Sequence, residues 1–244
     1  MPPDEEPLSY SGAVAVGAPG RELPAPVLAG IWAYCAAHRV IGESYLYVMA
    51  LLSDGAAPKG PQLVIGLRLS EKLSPQDERR LCDGLSPAAP PPGSGYEGLL
   101  VSVLDTDEDV ESVRKHVVPL YRRGDPPNAW ILQRMLFLPR TEQTELRTEP
   151  GLHEVSGTVG FLVIPHAGVR SLPAFTSEAE LTRWRPEGGE WIALPARRLL
   201  EASLRIQADR IVVDNKSPHA FAIDRGHAQA LLELANTLPP DPLA

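Results

Sequence analysis

The chain has 244 residues, of which 43% are hydrophobic and 22% charged, a composition typical of a soluble globular protein with room for two modest domains. Thirty-one acidic residues against 23 basic ones give a net charge of −8. Because a surface of this sign repels phosphate backbones and anionic lipid heads, neither nucleic acid nor a membrane is expected as a partner. The acidic N-terminus and the short apolar runs argue against a secretory signal or a membrane span, which predicts a cytoplasmic protein.

Local patterns predict a first module after a flexible, Pro- and Gly-rich lead-in over residues 1–24. Apolar residues at helical spacing between Val27 and Cys35 predict a helix. Two short runs rich in Val, Ile, Leu and Tyr, 45–53 and 63–70, predict a hairpin.

Helix-capping patterns continue this module. Ser74 followed by Pro75 predicts the start of a helix. A buried strand is expected over 99–104 and a further helix over 108–119. Residues 139–153 lose the apolar period, so we place the boundary between modules 25–147 and 148–244 there.

The second module is also mixed. Strands are predicted over 159–164 and 169–174, and Ser177 with Glu180 matches a capping box that begins a helix reaching Trp184. Pro195 opens another helix, and a final helix is expected over 226–237; the strands 211–213 and 220–223 flank a polar turn. The expected fold class is α+β, with two small modules that each pack helices on a short, largely antiparallel or mixed sheet.

Motifs for common enzyme classes are missing from the sequence. The glycine patterns of dinucleotide and phosphate loops and of the nucleophile elbow do not occur, and no histidine pair has zinc-ligand spacing. The acidic residues Asp105, Asp107 and Asp109 resemble part of a calcium loop, but they suit a helix N-terminus better. Cys35 and Cys82 are interpreted as free thiols. The sequence therefore predicts no catalytic, cofactor or metal residues and leans against an enzyme.

Two short segments are candidates for an interaction surface. Asn215, Lys216 and Ser217 form a polar turn that is either presented to a partner or a plain hairpin turn. Phe175 and Trp184 bracket the capped helix, with Thr176 beside the first, and either meet a partner or pack in the core.

The segment from Leu172 to Trp184, with its Phe-Thr-Ser, spaced Glu and Trp, resembles the N-terminal domain of the enhanced-serine-sensitivity (SseB) family. The similarity extends over about residues 157–235, with Asn215-Lys216 where the family usually has Asn-Pro. A weaker similarity links residues 25–125 to the family's C-terminal domain, so the two modules would stand in reversed order. The resemblance implies an α/β cytoplasmic bacterial protein and brings no active site.

These observations predict a non-enzymatic protein-interaction or adaptor protein whose partner is another protein. An immunity-type partner of a basic protein belongs to this class, because an acidic chain associates fastest with basic surfaces. The alternative is a small-metabolite sensor or enzyme that binds its ligand in a cleft between the two modules.

Overall fold

The computed structural model describes residues 13–17, 19, 23–52, 62–85, 96, 99–141, 145–148, 155–158 and 160–238. Within them six α-helices and several small mixed sheets confirm the predicted α+β class. Contacts divide the chain into two compact units. Described residues up to 123, apart from 24–32, form the first unit, and residues 24–32 with those from 124 onwards form the second.

The sheet of the first unit is built around one long strand, β2 (Ile41–Leu52). Antiparallel neighbours of β2 are β1 (Ala13–Gly17), β3 (Gln62–Leu69) and β5 (Pro119–Arg122), while β4 (Leu99–Val103) runs parallel to β3. The predicted β2–β3 hairpin is confirmed. The predicted lead-in, by contrast, contains the edge strand β1, and its first 12 residues lie outside the described part of the chain.

Helices α2 (Pro75–Asp83) and α3 (Asp107–Arg114) begin at side-chain caps in this unit. Ser74 Oγ accepts the Asp77 N–H at 3.2 Å, as predicted. Thr106 and Asp109 exchange two bonds of 3.1 Å in a capping box, which gives the acidic cluster a structural role. The helix predicted to reach residue 119 ends at 114, because Pro119 begins β5.

Helix α1 (Ala25–Ala37) buries Leu28, Ile31 and Cys35 on one face, at the spacing the sequence predicted. Its residues up to 32 group with the second unit and the remainder with the first.

The second unit contains a four-stranded mixed sheet in the order β13-β12-β10-β9. Its strands are β9 (Ile164–His166), β10 (Val169–Ala174), β12 (Arg210–Val213) and β13 (Phe221–Asp224). The central pair, β10 and β12, is parallel, and both outer pairs are antiparallel. The predicted strands 169–174, 211–213 and 220–223 are thereby confirmed to within a residue. The strand predicted over 159–164 is wrong at 160–163, and residue 159 lies outside the described residues.

Three helices belong to this unit: α4 (Glu178–Trp184), α5 (Ala196–Arg205) and α6 (Arg225–Ala235). Helices α5 and α6 pack together and bury their apolar faces, Leu199 and Leu200 on the first and Ala228 and Leu231 on the second. A short 3-10 helix spans Ala129–Gln133. All three α-helices were expected from the sequence.

Two further strand pairs change the predicted division of the chain. The strands β6 (Met135–Pro139) and β11 (Trp191–Pro195) pair antiparallel, and so do β7 (Glu145–Thr148) and β8 (Val155–Thr158). Because β6 pairs with a strand more than 50 residues later, it lies in the second unit. The predicted boundary between residues 147 and 148 falls inside that unit, which groups residues from 124 onwards with residues 24–32.

Candidate functional site

The segment that joins β12 to β13 is attached to the neighbouring strand by one buried carboxylate. Asp214 follows β12 with a left-handed backbone (φ 53°). Its Oδ1 accepts the Thr176 backbone N–H at 2.8 Å, and its Oδ2 accepts the Thr176 hydroxyl at 2.6 Å. Both residues are almost fully buried, with 5% and 2% of their surface exposed. Because β10 and β12 are parallel, the residues after their last positions meet at one edge of the sheet.

Backbone hydrogen bonds then fix the exposed part of the segment, which we name the 214–220 loop. The Asp214 carbonyl accepts the Ser217 N–H at 2.7 Å, and the Ser217 carbonyl accepts the Ala220 N–H at 3.1 Å. The Ser217 hydroxyl also accepts the His219 N–H at 3.3 Å. Asn215, Lys216 and His219 nevertheless remain exposed. The loop thus presents polar side chains from an ordered backbone.

The loop is also connected to the end of α4. Lys216 Nζ donates to the Trp184 carbonyl at 3.0 Å, where a cation satisfies an unpaired carbonyl and favours the helix dipole. At the other end of α4 the Ser177 hydroxyl accepts the Glu180 N–H at 3.2 Å, as predicted. The reciprocal half of the capping box is replaced, because the Glu180 carboxylate pairs with Arg183 at 2.5 Å.

An aromatic pair joins the end of α4 to the residue after β10. The Phe175 and Trp184 rings are 5.2 Å apart at 39°. Phe175 also exchanges two backbone hydrogen bonds with Phe137, at 2.8 and 2.9 Å. Phe175 is fully buried and Trp184 partly so. Phe175 is therefore a core residue, the alternative to a partner contact, whereas Trp184 packs against it and stays partly exposed.

The buried guanidinium of Arg134 lies close to the Asp214 carboxylate. Arg134 Nη2 donates to the Thr176 carbonyl at 3.3 Å. Burial raises the pKa of Asp214, and the charge of Glu180 raises it further; the hydrogen bonds from Thr176 and the positive charge of Arg134 act in the opposite direction. Two hydrogen-bond donors and one nearby cation thus stabilise the Asp214 carboxylate, whereas its burial destabilises the ionised form.

The first unit has a second cluster of charged and polar side chains, around Glu43 on β2. Arg114 donates to Glu43 at 2.7 Å and to the Tyr45 hydroxyl at 2.8 Å, Arg122 donates to Glu43 at 3.2 Å, and Tyr45 also donates to Glu43. Burial opposes ionisation of Glu43, but these hydrogen bonds and the two arginine charges together lower its pKa. Burial, with the Glu43 carboxylate, raises the pKa of Tyr45 to about 12. These groups satisfy one another and stabilise the β2–α3 contact.

The predicted surface residues divide into two sets. Asn215, Lys216 and Ser217 share one loop, and Lys216 contacts Trp184 as described above. Phe175 and Thr176 are buried, so that neither is available to a partner of the folded unit. Sequence reasoning missed the anchoring roles of Asp214 and Arg134; the only local signal was an acidic residue directly after a predicted strand.

Among the described residues, no group of three or more His, Cys, Asp or Glu side chains is arranged to hold a metal ion. None of the described helices combines the length and the apolar character needed to cross a bilayer.

Comparison with known families gives a match over residues 128–228, to the SseB protein N-terminal domain. Residues 128–228 are thus assigned to the SseB family as its N-terminal domain. The domain starts earlier than the predicted 157–235 and includes β6, α4, Asp214 and the 214–220 loop. No curated protein matches the chain. The similarity of residues 25–125 to the SseB C-terminal domain, and hence the reversed order, stays a prediction.

Proposed function

We propose that this SseB-family chain is a non-enzymatic protein-interaction protein of the bacterial cytoplasm, and that the 214–220 loop is part of its binding surface. The observation that carries the proposal is the attachment of the loop. Asp214 holds it from inside, Lys216 holds it to α4, and Asn215, Lys216 and His219 remain exposed. A loop that is ordered before binding loses less conformational entropy when a partner docks.

The bonding of the polar clusters supports a binding role rather than a catalytic one. In the second unit the Asp214 carboxylate is occupied by Thr176, and in the first unit Glu43 is occupied by Tyr45 and two arginines. A general base or nucleophile needs a free face toward its substrate. The net charge of −8 favours a partner with a basic surface, as an immunity-type role would require.

Site-specific photo-crosslinking tests the proposal. A photoreactive amino acid replaces Asn215 in one variant and Gln229, an exposed residue of α6, in the control, and both are irradiated in the native host. We expect one protein, identified by mass spectrometry, to be joined to the Asn215 variant at much higher yield. Equal yields from both positions, or no product from either, would contradict the proposal and favour a small-metabolite ligand.

A charge-reversal pair then tests the loop's contribution. Lys216→Glu should hold the captured partner to higher salt than the unmodified chain, because it adds a negative charge to the surface that faces the basic partner. Lys72→Glu makes the same change at an exposed site of the first unit and should leave capture unaltered. Equal effects of the two variants would mean that overall charge, rather than the loop, governs binding.

A further inference from the structure

A surface groove of about 150 Å³ lies in the second unit between α4 and the start of β11. One wall is formed by Glu178, Leu181 and Thr182, which share a face of α4, and by Arg185, which directly follows the helix. Trp191 and the residues beside it form the other wall. The groove adjoins the 214–220 loop, since Lys216 bonds to Trp184, the residue before Arg185.

The groove exposes an aromatic ring that is held in place. Trp191 is 39% exposed, and among the described residues only one other large hydrophobic side chain, Leu100, is as open. The Trp191 ring packs edge-on against Phe137, with centroids 4.9 Å apart at 64°, and its cross-strand neighbour Pro139 also lines the groove. An immobilised, exposed indole is a common recognition surface because it loses little side-chain entropy on binding.

Some of the charged side chains around the Trp191 ring have ion-pair partners and one does not. Arg185 Nε pairs with Glu187 at 3.3 Å, and its guanidinium lies against Gly189: a Cβ on that glycine would stand 3.2 Å from Nη1. Glu190 pairs with Arg140 at 2.6 Å. The Glu178 carboxylate, in contrast, forms no hydrogen bond or ion pair with any residue in the described part of the chain. The groove therefore combines a compensated cation, an open indole and an uncompensated carboxylate.

We propose that this groove receives a basic side chain, arginine in preference to lysine, from a protein partner. The alkyl stem would lie along Leu181 and Pro139, and the guanidinium would stack on Trp191 and pair with Glu178. Arginine is favoured because its planar cation stacks on aromatic faces and is more weakly hydrated than an ammonium. The inference rests on the proposed function only in taking the occupant to be part of a protein. The net negative charge of the chain supports a positively charged occupant.

Peptide titration followed by the tryptophan indole N–H signals in NMR tests the assignment. The chain has four tryptophans, and Trp191→Phe identifies the signal of Trp191. The probes are acetyl-Gly-Xaa-Gly-amide peptides with arginine, citrulline, lysine, leucine or glutamate at Xaa, used up to tens of millimolar. Citrulline has nearly the shape of arginine without its charge, so the two peptides separate cation recognition from apolar contact.

We expect the arginine peptide to shift the Trp191 signal saturably, the lysine peptide to do so more weakly and the other three to leave it in place. Glu178→Gln should lower the affinity for the arginine peptide by about threefold or more. Glu233→Gln, the same change at an exposed site of α6, should leave affinity unchanged. Because Glu178 is exposed, its variant folds even if a Trp191 variant does not.

Several outcomes would overturn the assignment. Equal shifts with citrulline or leucine would make the groove an apolar contact, and a shift with glutamate alone would make Arg185 the recognising group. The absence of any shift would also reject it. These failures are separable from failure of the proposed function. If a partner is crosslinked through Asn215 but the arginine peptide does not bind, the proposed function stands and the groove assignment fails. If the arginine peptide binds but no partner is crosslinked, the groove assignment stands and the proposed function fails.

Discussion

Thr176→Val removes one hydroxyl and keeps the shape of the side chain, so it isolates the bond from Thr176 to the buried Asp214 carboxylate. That bond is 2.6 Å long, and both residues are almost fully buried. A hydrogen bond to a charged group contributes about 1.5–3 kcal/mol, and removing one partner leaves a buried acceptor unsatisfied. Because Asp214 keeps the Thr176 backbone N–H as a donor, we expect a loss near the lower end, about 2 kcal/mol at pH 7.

The pH dependence of this loss identifies its cause. The Thr176 hydroxyl stabilises the ionised form of Asp214, so its contribution is complete while the carboxylate is charged. It disappears as pH falls through the folded-state pKa of Asp214, which burial raises above the ordinary 3.8. The difference in unfolding free energy between Thr176→Val and the unmodified chain should therefore shrink in acid. Asp214→Asn should remove that pH dependence.

Urea unfolding followed by circular dichroism at pH 7 and at acidic pH measures both quantities. Thr182→Val makes the same chemical change at an exposed position of α4 and should cost less than about 0.5 kcal/mol. A Thr176→Val loss no larger than that of the control, or one equally large at both pH values, would refute the assignment of Asp214 as an ionised anchor.

Two substitutions and one labelling experiment test the packing and the charge cluster of the first unit. Gly84→Ala should destabilise it by about 1–2 kcal/mol in urea unfolding, because the new Cβ would stand 2.3 Å from the Tyr34 hydroxyl oxygen. Iodoacetamide should label Cys82 before Cys35 in the folded protein, since Cys35 is inaccessible and burial raises its pKa to about 11. Glu43→Gln should cost about 1–2 kcal/mol at pH 7. That cost should shrink as pH falls below the ordinary carboxyl pKa and be lost once pH falls through the lowered folded-state pKa of Glu43, because the group stabilises the fold only while it is ionised.

Each of these three experiments has a matched control. Gly30→Ala lies on α1, where a Cβ would meet nothing within 4 Å, and should stabilise the chain slightly. Equal effects at the two glycines would contradict the clash. Unfolding in urea should equalise the labelling of the two cysteines, and faster labelling of Cys35 in the folded state would contradict its burial. Glu111→Gln changes the exposed partner of Arg114 and should cost less than about 0.5 kcal/mol.

The helices could be predicted because their signals are local. The Ser74-Pro75 pair and the Ser177 cap mark helix starts by bonds within one turn, and the structure contains both. In the same way the β2–β3 hairpin is set by neighbouring apolar runs. These elements need only contacts that the sequence window contains.

The missed elements depend on distant partners. Residues 135–139 carry no strand alternation that stands out, and they form β6 only because β11 supplies their hydrogen bonds. The same non-local pairing groups residues 124–147, which the sequence assigned to the first module, with the second unit. At the candidate site, the turn itself was predictable from Asp, Asn and Ser, but the burial of Thr176 follows from the parallel pairing of β10 with β12.

In the 214–220 loop the buried anchor, Asp214, is distinct from the exposed residues that we propose a partner meets, although Lys216 also holds the loop to α4. Asp214 fixes the backbone through buried bonds, whereas Asn215 and Lys216 point to solvent and add only exposed contacts. Lys216→Ala removes one exposed hydrogen bond to Trp184, worth about 0.5–1 kcal/mol at most. If the loop is the binding surface that we propose, changes at these exposed positions alter partner recognition at little cost in stability, whereas a change at Asp214 affects the fold and that surface together.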